Sequence, residues 1–519
     1  MATPTRPLKL VPLLFLTACP SYHPPSGLDD DETADTAITI DEGELTEEDS
    51  GPGCMSDADC VDNSDGPLCD TQSGQCFPSC IPGKSETCYE GPDETAQVGI
   101  CKIGSRACQA DGTWGGCTGQ VLPTTEDCAN GLDDDCDSNV DATDKDGDGF
   151  LSCIEGDEAD CCDDEIIGCI NAHLVNPGAY EVPDNDVDDD CDGMTDEVDP
   201  TCDEGLVSST GDPMAYARAL ELCATTTEED FHWGVIDAEL TLANGTSTPL
   251  SVQRSIRQQF GDVLVPSGGT SMVVLSSGNA AASGQTAPNF APFEPGANLG
   301  TAVPAPSDWL GFHGGTFPAS CPGVEFTDNE ANDSVMLTLR MRVPTNARSF
   351  TAKMYFFSAE YPEWVCSNYN DFFVALLDSE SEDNPEDKNI AVYDDGEQLW
   401  PVGLNIIKTA PGLFGACQGG QVGCQGELSP FAHDCGGDVG ELAGTGFDLI
   451  DASNSCNGAN FPVGGGTGWL EMSGNVAPGE VAEIRLAIWD SGGHLFDALV
   501  LLDDWQWSLD AASPGVQLP

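Results

Sequence analysis

Apolar and polar positions alternate along several short stretches in the second half of the chain. Val335, Leu337, Leu339, Met341 and Val343 alternate with Ser334, Met336, Thr338, Arg340 and Arg342. A period of two predicts a strand with one buried face. Ile484–Trp489 and Ala498–Leu502 predict two more strands. Asp212-Pro213 before Met214–Leu222 predicts one capped helix. Long helical periodicity is absent, and Gly- and Pro-rich loops separate the apolar runs. Among these, Gly464-Gly465-Gly466-Thr467-Gly468 lacks the strand–helix context of a phosphate loop and reads as a flexible connection. The pattern predicts a mainly β fold, with a sandwich or jelly roll over residues 204–519.

The first half has a different pattern. Residues 54–127 hold nine Cys before 118, with Gly, Pro, Asp and Ser between them and almost no apolar run. Such a segment cannot build an apolar core, so small disulfide-held modules are expected. Zinc is the rival reading, but C-x2-C spacing and His are both missing there. Residues 19–53 read as an acidic, self-repelling tether, with no Lys or Arg from 20 onward. At the start, Arg6 and Lys9 precede a short apolar run that ends in Leu16-Thr17-Ala18-Cys19. Residues 1–18 read as a signal peptide, and Leu-Thr-Ala-Cys resembles a bacterial lipobox, which implies a lipid on Cys19. Pro20, in place of an inner-membrane retention Asp, points by analogy to the outer membrane. No later stretch is apolar enough to span a bilayer. Without Cys19, 24 of the 25 Cys remain, 17 between 54 and 202 and seven between 223 and 456. Both counts are odd, so complete pairing needs a bridge across the boundary, and Cys202–Cys223 is the expected one.

Charge sharpens the picture. Ninety acidic against 16 basic residues give −74, which excludes nucleic acid as a natural partner. The acids concentrate at 128–203, with 26 Asp or Glu and a single Lys. Within that stretch a block repeats: Glu126–Asp137 has a second copy at Glu181–Asp192. So dense a set of carboxylates in a disulfide-laced module calls for a hard divalent cation, calcium first. Asp144, Asp146, Asp148, Gly149 and Glu155 occupy positions 1, 3, 5, 6 and 12 of an EF-hand-type loop, with Phe150 offering its carbonyl. Asp133, Asp135 and Asp137, and Asp188, Asp190 and Asp192, repeat the triad, with Asp141 and Asp196 further on. Their twelfth residues, Asp144 and Asp199, make them weaker matches. Asp160, Asp163 and Asp164 are candidate additional ligands. Copper is a poorer fit, because the donors are hard oxygens rather than His or Met.

Two resemblances follow from these residues. Glu126-x-Cys128-x-Asn130-Gly131-x-Asp133-x-Asp135-Cys136-Asp137, Asp160-Cys161-Cys162-Asp163-Asp164, Asn176–Glu181 and Asp190-Cys191-Asp192-Gly193-x-x-Asp196-Glu197 resemble the MopE-like metal-binding motif of bacterial surface proteins. Pro183 stands where that family usually has Cys. Phe356–Phe373, with its Glu360-Tyr361…Tyr369-Asn370-Asp371-Phe372-Phe373 stretch, Asn389-Ile390-Ala391, Ile488-Trp489-Asp490 and Phe496-Asp497-Ala498 resemble the choice-of-anchor L domain. That resemblance implies a β-rich surface domain without an established chemistry.

Among those aromatics, Glu360, Asn370, Asp371, Asp490 and Asp497 are candidates for a second calcium or ligand site at a sandwich edge, weighed against ordinary turn hydrogen bonding. Catalytic signatures are missing: there is no G-x-S-x-G, H-E-x-x-H or G-x-x-x-x-G-K-[ST], and the six His are scattered. The expectation is a non-enzymatic, calcium-stabilised, lipid-anchored cell-surface protein that binds an extracellular protein or glycan, touching the membrane only through its lipid. A hydrolase with metal-stabilised accessory modules and a calcium-rigidified stalk are the alternatives.

Overall fold

The computed structural model describes residues 53–61, 65–124, 130–138, 144–151, 159–163, 171–197, 201–324, 328–436, 439–451 and 454–519. The expected signal peptide, Cys19 and all but the last residue of the tether lie outside the described residues. So do Glu126, Asp141, Glu155, Asp164 and Asp199. Two compact units emerge. One comprises the described residues to Lys84 together with Ala107–Gly115; the other comprises Ser85–Arg106 and everything from Gly116 onward.

The first unit is held by sulfur. Leu68–Asp70 pairs with Gln75–Phe77 in a small antiparallel hairpin. Cys54–Cys69, Cys60–Cys76 and Cys80–Cys108 staple it. Its buried apolar side chains are Cys60, Cys69, Cys80 and Cys108, so the bridges are the core. Their removal costs about 2–5 kcal/mol each in small domains of this kind. Cys88–Cys117 and Cys101–Cys136, in the second unit, complete the pairing of every Cys from 54 to 117. No thiolate is left among them for zinc.

The second unit carries the β-rich domain. The strands of its two large sheets are β1 (Gly234–Thr241), β2 (Arg254–Arg257), β3 (Met272–Ser276), β4 (Ala302–Pro304), β5 (Glu330–Arg342), β6 (Ser349–Ser358), β7 (Phe372–Asp378), β8 (Gly465–Gly466), β9 (Leu470–Asn475), β10 (Val481–Asp490), β11 (Ala498–Ser508) and β12 (Gly515–Gln517). One sheet has the order β12-β9-β6-β11-β3-β2, with β8 also on β6. The other has the order β7-β10-β5-β1, with β4 also on β5. Both are antiparallel throughout these pairings. Leu337 and Leu339 of β5 and Ile484, Leu486 and Ile488 of β10 share a core with Met354 and Phe356 of β6 and Val500 and Leu502 of β11. The two sheets therefore form a sandwich, as the period-two pattern predicts.

The larger sheet is buried on its other face as well. Tyr355, Phe357, Leu499, Leu501, Met272 and Val274 pack beneath loop residues Phe260, Phe293 and Phe447. Burial on both faces explains the unbroken apolar runs Met354–Phe357 within β6 and Ala498–Leu502 within β11. On the smaller sheet, Trp489 and Phe372 stack beside Phe317 and Trp309 of α2 (Ser307–Phe312).

Two expectations are corrected. The helix α1 stops early, spanning Met214–Arg218 rather than reaching Leu222. Asp212 does accept a hydrogen bond from the Met214 N–H (3.2 Å). The chain then turns through Glu221 at φ 67° and brings Cys223 to Cys202, the bridge that cysteine parity predicts. The Gly464–Gly468 run is not a loose loop. Gly465 and Gly466 pair with β6 and are buried. A Cβ on Gly466 would lie 2.6 Å from the Tyr355 ring and one on Gly464 2.7 Å from Phe447. Close packing, not freedom, requires glycine here.

Candidate metal centres

The three aspartate triads share one internal wiring. In each loop the first Asp accepts the N–H of the sixth residue: Ser138 to Asp133 (3.0 Å), Gly149 to Asp144 (3.0 Å), Gly193 to Asp188 (3.1 Å). The third residue accepts the N–H of the fifth: Asp137 to Asp135, Asp148 to Asp146, Asp192 to Asp190, at 3.1–3.2 Å. Positions 4 and 6 are left-handed in all three, filled by Cys136 and Ser138, Gly147 and Gly149, and Cys191 and Gly193. The repeat seen in the sequence also extends upstream. Asn130 and Asn185 each accept the N–H two residues on and donate to Asp134 and Asp189. The spacing thus encodes a turn in which carboxylates converge while their backbone amides are satisfied.

The three loops differ in how their remaining oxygens are met. In the first, carboxylate oxygens of Asp133, Asp135 and Asp137 lie within 4.8 Å of one another. The Lys145 ammonium contacts Asp135 and reaches Asp137 at 3.6 Å. The only Lys of the acidic stretch is therefore its local counter-charge. In the second, Asp144, Asp146 and Asp148 converge equally closely. Asp146 Oδ2 is buried without a partner, and Asp148 lies within hydrogen-bonding reach of Asn176. The Leu151 carbonyl accepts the Asp160 N–H (3.2 Å), and Asp163 accepts the Lys145 N–H (2.8 Å), bringing both acids to this loop. Asp160 Oδ2 is likewise buried and unpartnered. Burial, then Asp148, pushes Asp146 up to about 6, and burial pushes Asp160 up to about 7. Phe150 donates its N–H to Asp148 (2.8 Å) and packs its ring edgewise on Phe231.

In the third loop Asp188 Oδ1 is unpartnered, and burial pushes Asp190 up to about 6, with Asp192 and Glu197 adding to the rise. Glu197, whose Oε2 is also buried and unpartnered, joins this site. Its neighbour Asp196 turns away and accepts the Asn185 and Asp186 N–H groups. The sequence points to Asp196 as the further acid; which of two adjacent acids faces the loop is not legible in the spacing. Glu181 is a second omission. It accepts the N–H groups of Asp189 (3.0 Å) and Asp196 (2.7 Å), staples the loop, and is pushed by burial up to about 7.

The β domain holds a second acidic cluster where strands of both sheets end. β6 ends at Ser358 opposite Ala498, where β11 begins, and β7 begins at Phe372 opposite Trp489 near the end of β10. Glu360, Asn370, Asp371, Asp490 and Asp497 follow or precede those ends, each 2 % exposed or less. Ser358 donates to Asp371 (2.5 Å), and Asp371 and Asp490 lie within hydrogen-bonding reach of each other. Glu360 Oε2, Asp371 Oδ1 and Asp490 Oδ1 are buried without partners. Burial, then Asp371, lifts Glu360 well above the carboxylate range, and burial lifts Asp490 likewise. Burial pushes Asp371 up to about 7 and Asp497 up to about 8. Asp497 is clasped by the Ala297 N–H (3.1 Å), and Cβ atoms on Gly278 or Gly296 would collide with its carboxylate. Asn370 differs from the others. Its oxygen accepts the Asn405 N–H (3.2 Å), so it braces the cluster rather than facing it as a ligand.

Buried oxygens without donors, and without a basic side chain bonded to them, are the chemistry of a hard-cation cage. Residues 270–506 match the choice-of-anchor L domain family. The match contains the Glu360–Asp497 cluster and none of the aspartate triads, and it marks a surface-associated protein. No curated protein and no solved structure matches the chain. Among the described residues, no helix is long and apolar enough to cross a membrane.

Proposed function

We propose that this is a non-enzymatic, calcium-stabilised cell-surface protein, held at the outer membrane by a lipid on Cys19, whose β domain binds an extracellular protein or glycan. The observation that carries the calcium reading is the shared wiring of the three aspartate loops, which spends backbone amides on converging carboxylates and still leaves Asp146 Oδ2 in the second loop and Asp188 Oδ1 in the third buried and unmet. Calcium takes six to eight such oxygens. The MopE-like resemblance of the same stretch agrees with it.

Closure of the Glu360–Asp497 cluster supports binding over hydrolysis. Carboxylates with raised pKa are what a hydrolase would use, but with each 2 % exposed or less a substrate has no approach to them. A cation fits there instead. The binding role draws on a cleft of about 270 Å³ lined by Phe312, His313, Pro318, Asp387, Leu399 and Pro401. Phe312 is 55 % exposed at its rim, an apolar surface suited to a partner.

The test is a calcium titration of the disulfide-intact soluble chain by calorimetry and thermal unfolding, with magnesium as control. Several ions should bind, and the melting temperature should rise, because a ligand specific to the native state stabilises it. Asp146→Asn should weaken binding at the second loop by about 10–100-fold or more, the loss typical when even an outer-shell partner of a metal is removed. Indistinguishable, weak responses to both metals would remove the calcium reading.

A further inference from the structure

A third acidic cluster lies outside both groups above, built from residues that no local motif connects. Asp203 follows Cys202, Glu221 precedes Leu222 and Cys223, and Asp503 sits in β11. The Cys202–Cys223 bridge ties the first two together. The Trp505 N–H donates to the Leu220 carbonyl (3.3 Å) and brings β11 alongside. A β-bulge accompanies this approach: the register of β6 against β11 shifts between Thr351 and Lys353, and Asp504 adopts φ 55°. Bulges re-aim side chains in this way.

Asp203 and Asp503 are each 0 % exposed. In each, one carboxylate oxygen is met and the other is not. Asp203 Oδ2 accepts the Thr270 N–H (2.5 Å) and Ser271 Oγ (3.0 Å). Asp503 Oδ2 accepts the Ser267 N–H. Asp203 Oδ1, Asp503 Oδ1, Glu221 Oε1 and Thr270 Oγ1 are all buried without partners. Glu221 lies within hydrogen-bonding reach of Asp203. The loop Ser267-Gly268-Gly269-Thr270 closes over them. A Cβ on Gly269 would lie 1.8 Å from Glu221 Oε1 and 2.7 Å from Asp203 Oδ2. Lys353, the register partner of Asp503, does not serve the cluster: it gives its ammonium to Asp504 at 2.7 Å.

We propose that Asp203, Glu221 and Asp503, with Thr270 Oγ1, hold a divalent cation, calcium by its all-oxygen donor set, between the Cys202–Cys223 bridge and the bulge of β11. Acidic residues in proximity would not suffice for this. The independent observation is the unpartnered oxygen on each of two fully buried aspartates, inside a glycine loop with no room for a side chain. Two fully buried carboxylates and a half-buried one otherwise lie together with no basic side chain bonded to them. Burial, then Asp203 and Asp503, push Glu221 up to about 7, and burial, with Asp504 adding to the rise, pushes Asp503 up to about 6, in agreement with a site that favours an added positive charge. The site shares no ligand with the aspartate loops, so the two stand or fall separately.

The experiment counts calcium ions per chain by equilibrium dialysis and elemental analysis of the full disulfide-intact chain, for wild type, Glu221→Gln, Asp503→Asn and, as a separate arm, Asp146→Asn. Glu221→Gln and Asp503→Asn should each lose one ion, and combining them should lose no second. Asp146→Asn should leave this ion in place. Unchanged stoichiometry in both folded variants, with a higher melting temperature than wild type in chelator, would overturn the proposal in favour of carboxyls sharing protons. If neither variant folds, anomalous scattering from wild-type crystals grown in calcium decides. A peak ~2.3–2.6 Å from these oxygens supports the site, and no peak there overturns it.

Discussion

A carboxylate buried beside other carboxylates has two ways to be tolerated, a proton or a metal, and pH separates them. Glu360, Asp371, Asp490 and Asp497 all have folded-state pKa values raised by burial, Asp371 to about 7 and Asp497 to about 8. A raised acid binds protons more tightly in the folded than in the unfolded chain. Its contribution is therefore full below about pH 4, the unfolded value, and is lost as pH rises through the folded value. The neighbouring Asp333 adds to the rise of Asp497, and His494 holds Asp333 at 2.9 Å. In chelator the melting temperature should fall from pH 5 to pH 8, and millimolar calcium should abolish that slope or reverse it. A melting temperature in chelator that climbs over this interval would show that these groups are ionised at no penalty. At this scale the sequence was legible where converging acids were spaced locally. Asp144, Asp146 and Asp148 sit two apart, and two apart is what the turn needs. It was illegible where a site is assembled from afar, as with Asp203 and Asp503, which three hundred positions of chain separate.

Elements were legible to the extent that one periodicity governed them. β5 alternates because one face meets the core and the other carries Thr338, Arg340 and Arg342. β8 was missed because two glycines offer no pattern at all, and what makes them a strand is the Tyr355 and Phe357 rings lying over them. Gly466→Ala should therefore cost about 1–3 kcal/mol, the range for overpacking a filled core, read as a lower urea midpoint with an unchanged slope. A midpoint shift within error would mean the ring stack yields easily. The tie between Cys202 and Cys223 was readable from parity, whereas the bridge from Cys80 to Cys108 needed the fold.

For the whole molecule, two of the three aspartate loops place a half-cystine at the fourth position, in the left-handed conformation that the remaining loop gives to Gly147. Cys136 is bonded to Cys101 and Cys191 to Cys161. A β-carbon residue resists that conformation on its own, so the covalent bridge is what keeps it there. The order expected of maturation follows from this: thiol oxidation first and metal capture second. A chain still in a reducing compartment would be unable to scavenge the ion early, however much of it were present. Gly147 spares the middle loop this constraint at its fourth position, so that loop should lose less calcium affinity after dithiothreitol treatment than the loops at Asp133 and Asp188 in the same calorimeter. Equal loss at all three would show that the bridges set no such order, and the half-cystines would then be fasteners rather than timekeepers.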